Sequence, residues 1–323
     1  MLRCAALFSL LLAAAAAPVT ATGAETYPSR PLRLVIPYAP GGSTDILGRL
    51  IGAKLSETWG QQVVIDNRPG GNAMIGSTIV AKAPADGYTL IMATNGSHGI
   101  NMSLYPNVPY DPLKDFTPLI AVAGVPMVLV VTSATPVKSA KELVSYALAQ
   151  DGKVNYGSAG TGSTGHLTAE IFKTATGIKG QHIPYKSDGP ALVDLMGGQF
   201  TFIFSNMPAV VSYVKAGRVR ALAVSVSQRS PLLPDVPTLT ELGIKVEIIP
   251  WYGVMGPAGI SKPVAAKLNA GINRVLESPE FKERLVSLGA TVMGGTPEQF
   301  VALIQSDIEK YAKAVKDSGA KPD

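Results

Sequence analysis

Apolar positions along the chain switch repeatedly between a two-residue and a 3.6-residue period, the pattern of strands alternating with helices. Residues 32–37 form a short β run, and residues 44–59 place Ile46, Leu47, Leu50, Ile51 and Leu55 at helical spacing. Residues 62–66 read as a strand, 73–82 as a helix and 89–94 as a strand. Residues 126–132 are almost continuously apolar, as expected of a strand buried on both faces. Ser139-Ala140-Lys141-Glu142 is a capping box opening a helix that runs to Ala149. Strand 154–157, helix 166–176, strand 181–184, helix 190–196 and strands 200–204 and 221–226 follow. The C-terminal part is helical over 263–276 and 279–288, with a third helix capped by Thr296-Pro297-Glu298-Gln299 and running to about Lys316. This alternation predicts an α/β architecture with mostly parallel sheets.

Two of the strand-to-helix turns are rich in glycine. The first runs Tyr38-Ala39-Pro40-Gly41-Gly42-Ser43-Thr44-Asp45, and the second Ser158-Ala159-Gly160-Thr161-Gly162-Ser163-Thr164-Gly165-His166. A helix N-terminus leaves backbone N–H groups unpaired and carries partial positive charge, so each turn is a ready anion site. Such turns lie at the C-terminal ends of strands, where open α/β sheets bind ligands. Two of them facing each other form a pincer for an anionic small molecule. Glycine lets the backbone approach closely, and Ser43, Thr44, Ser163 and Thr164 can cap a helix or donate to an oxygen. A chain that leaves the first unit near residues 121–124 and returns near 250–257 places a hinge there.

The ends and the composition narrow the setting. Met1-Leu2-Arg3, an apolar run over residues 4–17 and the small residues Ala21 and Ala24 form the pattern of a cleaved signal peptide spanning residues 1–24. The run is too short for a convincing membrane span. Cys4, the sole cysteine, sits at the start of that run, so lipid attachment is not expected. The exported chain would then have no disulfide, thiol nucleophile or cysteine metal site, and its expected compartment is the periplasm. The formal charge is +5, or +4 without Arg3, and Lys215, Arg218 and Arg220 form a scattered basic group without aromatic interleaving. Nucleic acid is therefore not expected as a partner. The three histidines, His98, His166 and His182, are not at metal-ligand spacing, so neither a metal nor a cofactor is expected.

Within this frame a series of short motifs occurs in order. They are Pro40-Gly41-Gly42-Ser43-Thr44-Asp45, Val64-Ile65-Asp66-Asn67-Arg68-Pro69-Gly70-Gly71 and Ala85-Asp86-Gly87-Tyr88-Thr89-Leu90, then Tyr110-Asp111-Pro112 and Tyr156-Gly157-Ser158. Pro184-Tyr185-Lys186, Arg220-Ala221-Leu222-Ala223-Val224, Pro234-Asp235-Val236-Pro237-Thr238 and Trp251-Tyr252-Gly253 complete it. The ordered set resembles the tripartite tricarboxylate transporter receptors, also called Bug-type solute-binding proteins, over nearly the whole chain after the leader. The resemblance implies a two-domain periplasmic binding protein of Venus-flytrap, type II-like form, with the ligand cleft between the domains. Domain I would comprise residues 25–122 and 249–323, and domain II residues 123–248. It implies capture of a small carboxylate (a di- or tricarboxylate or an aromatic acid) and delivery to the membrane permease subunits, with no chemistry and with a monomer as the default state. In the family the two loops grip one ligand carboxylate through backbone amides and ordered water. Those loops carry over here to Tyr38, Gly41, Gly42, Ser43, Thr44 and Asp45, and to Ser158, Ala159, Gly160, Thr161, Gly162, Ser163 and His166. Asn95, Ser97 and His98, at the end of a strand, are further candidates to line the cleft. Charge-assisted hydrogen bonds contribute about 1.5–3 kcal/mol each, so roughly three or four account for much of a micromolar affinity without a cationic side chain.

The chain departs from the family pattern in its second half. Ser187 stands where glycine is expected, Phe200-Thr201 where Val-Asp is usual, and Ser205 where an acidic residue is common. Loss of two carboxylates near the cleft argues against a cationic amine on the ligand and for a second carboxylate or an uncharged ring. Other functions also have signals in the sequence. Residues 160–165 spell G-x-G-x-x-G, with Asp188 placed as a ribose partner, which would make the chain an NAD-binding enzyme; export removes the usual cofactor pool. A hydrolase would use Ser158 or Ser163 with His166, but no G-x-S-x-G elbow is present. A receptor feeding a two-component sensor kinase would look the same in sequence. Trp251 and Tyr252 are expected to pack the hinge, and Trp59 to lie in the core.

Overall fold

The computed structural model describes residues 27–244 and 248–322, so the leader assigned to residues 1–24 lies outside the described residues. The strands are β1 (Leu32–Ile36), β2 (Val63–Asn67), β3 (Thr89–Thr94), β4 (Phe116–Gly124), β5 (Met127–Thr132), β6 (Asn155–Ser158), β7 (Gln181–Pro184), β8 (Phe202–Asn206), β9 (Val219–Val224), β10 (Trp251–Pro257) and β11 (Thr291–Gly294). Between them come helices α1 (Ser43–Trp59), α2 (Met74–Ala81), α3 (Asn101–Leu104), α4 (Ala140–Ala149), α5 (Thr164–Thr176), α6 (Asp188–Met196), α7 (Met207–Lys215), α8 (Lys262–Glu277), α9 (Pro279–Ser287) and α10 (Pro297–Ser318). One turn of π-helix, Gly96–Ile100, follows β3.

These strands make two separate sheets, ordered β11-β4-β10-β3-β1-β2 and β7-β6-β8-β5-β9. Each is the floor of one lobe, and the chain crosses between them twice. β4 ends at Gly124 and β5 begins at Met127, and the return strand lies alongside, with Val125 N–H donating to the Pro250 carbonyl at 2.9 Å. The expectation of mostly parallel sheets needs correction. β1 pairs in parallel with β2 and β3, and β6 with β7 and β8, whereas β10 is antiparallel to β3 and β4, β11 to β4, and β5 to β8 and β9. The antiparallel members are the strands at or beside the crossings. β5 and β10 arrive directly from the other lobe, without the crossover helix that a parallel partner needs, and every antiparallel pair but β11 with β4 includes one of them.

Local pattern accounts for most elements. α1 buries Leu47, Ile51 and Leu55 on one stripe. β5 is buried along its whole length: Val128 and Val130 join one core cluster, while Met127, Leu129 and Val131 join the cluster on the other face. At α4 the cap is half of the expected box. Ser139 Oγ accepts from Glu142 N–H, but the Glu142 carboxylate takes the Lys138 N–H instead. Thr296 and Gln299 form the full reciprocal box at α10. That helix begins against the first sheet, with Phe300 and Ile304 beside Trp251, and ends against the second lobe, with Tyr311 and Val315 in a cluster with Phe172 and Leu167. The chain end therefore packs on both lobes. Among the described residues, no helix is long and apolar enough to cross a membrane.

Candidate functional site

Four strand-to-helix turns, one from the first lobe and three from the second, aim helix N-termini at the same point. β1 leads into α1, β6 into α5, β7 into α6 and β8 into α7, and their N-cap residues are Gly42, Ser163, Ser187 and Asn206. All four line one small cavity between the lobes, together with Tyr38, Ser43, Thr44, Thr94, Asn95, Ala159, Thr164, Asp188 and Tyr252. Its volume is about 20 Å³, room for one water-sized group. Tyr38 and Ala159 are shared with an outer pocket of about 230 Å³, lined also by Gly71, Asn72, Gly160, Thr161, Tyr185 and Lys186.

The lobes are closed on each other here. Ala39 N–H donates to the Lys186 carbonyl at 3.0 Å, Tyr105 Oη to the Thr161 carbonyl at 2.7 Å and Thr164 Oγ1 to Asn95 Oδ1 at 3.0 Å. Asn95 also donates to the Tyr311 hydroxyl at 2.8 Å, so one amide ties both lobes to the last helix. Gly162 adopts φ +85°, and a Cβ there would lie 2.8 Å from Leu104 and 2.9 Å from Asn72 of the first lobe. Here glycine is required both by the backbone and by the approach.

Several polar atoms in this wall have no protein partner. Ser187 Oγ and Asn206 Oδ1 are buried and make no hydrogen bond, and neither side chain caps its own helix. Ser43 Oγ likewise lacks a hydrogen bond, although it lies near enough to the Tyr252 hydroxyl to bear on its ionisation. Buried polar atoms are nearly always paired, so unpaired ones clustered around a cavity mark a place for a ligand or water.

Asp188 is the charged residue of the wall. Its carboxylate accepts from Asn206 Nδ2 at 3.1 Å and Ser205 Oγ at 3.3 Å, with the Ser43 backbone N–H of the first lobe also bonding to it. Burial raises its pKa, against the lowering effect of these donors. It gives the cavity a carboxylate although Thr201 and Ser205 carry none. Ser205 is not acidic, but it holds an acid supplied by a different element. Asp188 is also no ribose partner at a strand end, since it opens α6 inside the cleft. Burial likewise raises the Tyr252 hydroxyl, with Asp188 adding to the effect. Tyr252 thus walls the cavity, contrary to the packing role expected of it. Trp251 does pack, edge-on to Phe300, and donates to Asp307 at 2.7 Å.

The sequence candidates fall into three places. Tyr38, Gly42, Ser43, Thr44, Asn95, Ala159 and Ser163 line the cavity, and Gly160 and Thr161 line the outer pocket. Gly41 backs onto Gly189, and Gly162 onto Asn72 and Asn101. Asp45, Ser97, His98, Ser158, His166 and Ser205 stand behind the wall and shape it. Ser158 Oγ accepts from Gly160 N–H and bonds to His182, and His166 Nδ1 accepts from Gly162 N–H. Ser163 Oγ accepts from the His166 backbone, so it caps α5 rather than facing the imidazole as a nucleophile would. Ser97 bonds to the Thr94 backbone and to His98 Nδ1. His98 sits among Tyr110 and Phe116, where burial pushes its pKa down to about 3.

Asp45 braces the first loop. It accepts from Gly41 N–H, Arg49 Nε and Asn67 Nδ2. Burial alone would raise its pKa, but these bonds outweigh burial and hold it below the usual carboxylate range. A lowered folded pKa contributes stability that is full above the unfolded value and is lost as pH falls through the folded one. Asp45→Asn is thus expected to melt below wild type at pH 7, with the two melting temperatures converging below about pH 4.

Comparison with known proteins identifies the family. Residues 47–320 match the profile described as tripartite tricarboxylate transporter family receptor. The chain is 39% identical to protein BugT of Bordetella pertussis over 99% of both chains. It superposes on an R. palustris protein solved with adipate with a TM-score of 0.90 and 40% identity, covering 92% of this chain and 99% of that one. For MatC of Rhodopseudomonas palustris, solved with bound malate, the TM-score is 0.86 and the identity 33%, covering 90% of this chain and 100% of that one. The two solved relatives hold carboxylate ligands, and the matched profile describes receptors, not enzymes. With 274 of its residues under the profile and a full-length relative near 40% identity, the chain belongs to the tripartite tricarboxylate transporter receptor family.

Proposed function

We propose that this chain is a periplasmic receptor that closes two lobes over a small carboxylate and presents it to membrane permease subunits. The observation that carries the proposal is the meeting of four helix N-caps from both lobes around one cavity, with Ser187 Oγ and Asn206 Oδ1 left unpartnered. N–H groups at converging helix ends bind a carboxylate without a cation. A ligand touching both lobes stabilises the closed form over the open one, and only such a differential contact can drive closure. The crossings at Val125 and Pro250 are the natural hinge, dividing domain I from domain II close to residues 123 and 249. The adipate and malate of the related structures place small di-acids among the first ligands to try.

The test is a thermal-shift panel of mono-, di- and tricarboxylates, amino acids, aromatic acids and NAD(H) on refolded, ligand-stripped protein. A ligand at 100 times its dissociation constant adds about 2.7 kcal/mol, a rise of several degrees for a protein of this size. A rise with a carboxylate class is expected. A rise with NAD(H) alone would overturn the receptor assignment.

A further inference from the structure

Asn95 follows β3 and is fully buried, and its amide bonds to two distant parts of the chain. Oδ1 accepts from Thr164 Oγ1 at 3.0 Å across the cleft, and Nδ2 donates to Tyr311 Oη of α10 at 2.8 Å. Asn95 and Thr164 line the cavity, whereas Tyr311 does not. The two bonds need different things. The Tyr311 ring is seated on the first lobe, where a Cβ on Gly99 of the π-helical turn would meet it at 3.4 Å. About one turn earlier in α10, Asp307 takes the Trp251 indole N–H at 2.7 Å. The Asn95–Tyr311 bond therefore lies within the first lobe and needs no closure. The Asn95–Thr164 bond joins the lobes and forms only where they meet. Burial raises the Tyr311 pKa, so the group that accepts from Asn95 is the neutral hydroxyl.

Thr164 is the first residue of α5, and the first N–H groups of a helix have no partner inside it. Wherever Thr164 docks, those donors go with it. We propose that Tyr311 is a positioning residue for ligand capture: it holds the Asn95 amide in place before the lobes meet, and so fixes where the start of α5 docks on the first lobe. The inference deepens the carboxylate-receptor assignment above and rests on it. An amide already ordered in the open form costs nothing to order at closure, and that saving appears as affinity. Without the hydroxyl, Asn95 Nδ2 is a buried donor that has lost this partner, and such a donor is costly. The amide then turns toward whatever acceptor it can reach, and the docking point of α5 is no longer set. Packing of α10 is a separate matter. Val315, one turn beyond Tyr311, lies in the same apolar cluster but has no hydrogen-bonding side chain.

Titration calorimetry on refolded, ligand-stripped protein tests this, with adipate and malate as probes or, if neither binds, the panel acid with the largest thermal shift. Tyr311→Phe keeps the ring and removes the hydroxyl. It is expected to melt within about 3 °C of wild type and to bind the probe about tenfold more weakly. Thr164→Val removes the closing bond at its other end. The double variant should bind no more than about twofold worse than Thr164→Val alone, because the hydroxyl acts only through that bond. Val315→Ala should lower the melting temperature and leave the affinity unchanged. The proposal is overturned if Tyr311→Phe binds within about twofold of wild type, or if the two losses multiply in the double variant. It is equally overturned if Val315→Ala weakens binding as much as Tyr311→Phe does, or if Tyr311→Phe melts far below wild type, since the hydroxyl would then serve the fold. In all these cases wild type still binds the probe and the carboxylate receptor stands. If wild type binds no acid of the panel, both assignments fall.

Discussion

Gly189→Val is expected to leave the protein folded and unable to close on its ligand. Gly189 lies in the first turn of α6, and a Cβ there would meet the Gly41 carbonyl carbon at 2.9 Å and the Gly41 and Pro40 oxygens at 3.1 Å. Those atoms are backbone of the other lobe, so they cannot step aside as a flexible side chain would. With the lobes apart the same position is open, and valine in a helix is no worse than glycine. The substitution thus acts on closure and not on the fold of either lobe. Forcing the first loop away strains the Ala39–Lys186 hydrogen bond and withdraws the first lobe's amides from the ligand. Losing one charge-assisted bond at about 1.5–3 kcal/mol weakens binding at least about tenfold, and losing two weakens it more than about a hundredfold. Calorimetry should show that loss, with a ligand-free melting temperature within about 2 °C of wild type. An unchanged affinity would mean that the ligand does not require the closed cleft. Gly162→Val is a poorer probe, because its φ of +85° adds backbone strain to the same steric block.

The second large effect is on stability. Phe300→Ala should cost about 3–5 kcal/mol, the usual range for a buried phenylalanine. Phe300 is 1% exposed and lies edge-on to Trp251 with ring centroids 5.0 Å apart. It also covers Gly253, where a Cβ would lie 2.2 Å from its ring, so β10 was left bare at that point to receive it. For a chain of this size the cost corresponds to a fall of roughly 6–15 °C in melting temperature. Binding should weaken as well. Phe300 seats the start of α10, the same helix holds Trp251 through Asp307, and Tyr311 further along holds Asn95. A melt lowered by less than about 2 °C would show that α10 is not anchored there.

Much of this molecule could be read from residue patterns. The helices of α1, α4, α5, α8 and α10 follow apolar spacing and capping residues, and β5 follows its unbroken apolar run. What escaped were β4, β10 and β11. Trp251-Tyr252-Gly253 and Gly256-Pro257 in β10 look like turn chemistry, yet Gly253 is there for Phe300 and Gly256 for Ile260. Such strands exist because of partners distant in sequence, which local pattern does not contain.

The site divides in the same way. Its two glycine-rich loops announce themselves, because close backbone approach demands glycine. Asn206 and Thr94 carry no such mark, while Ser187 reads only as a departure from the family pattern and Asp188 only as a candidate ribose partner. Ser187 and Asn206 do carry an N-cap signal, each followed within three residues by proline at Pro190 and Pro208. The same signal marks Ser261, Ser278 and Thr296, which cap helices that do not line the cleft. Capping chemistry identifies a helix start, and only the topology decides which starts converge. In sequence Asp188 falls in a dinucleotide pattern, whereas in the fold it opens α6 against Ser43, Ser205 and Asn206.

The central claim is that a carboxylate is held by helix N-termini from both lobes at once. The most direct measurement is a crystal structure of the protein with whichever acid gives the largest thermal shift. The account predicts carboxylate oxygens about 2.7–3.1 Å from backbone N–H groups of the Ser43–Thr44 turn on one side and the Ser163–Thr164 turn on the other, with the lobes closed. A ligand bound to one lobe alone, or seated outside the cavity between the lobes, would contradict it.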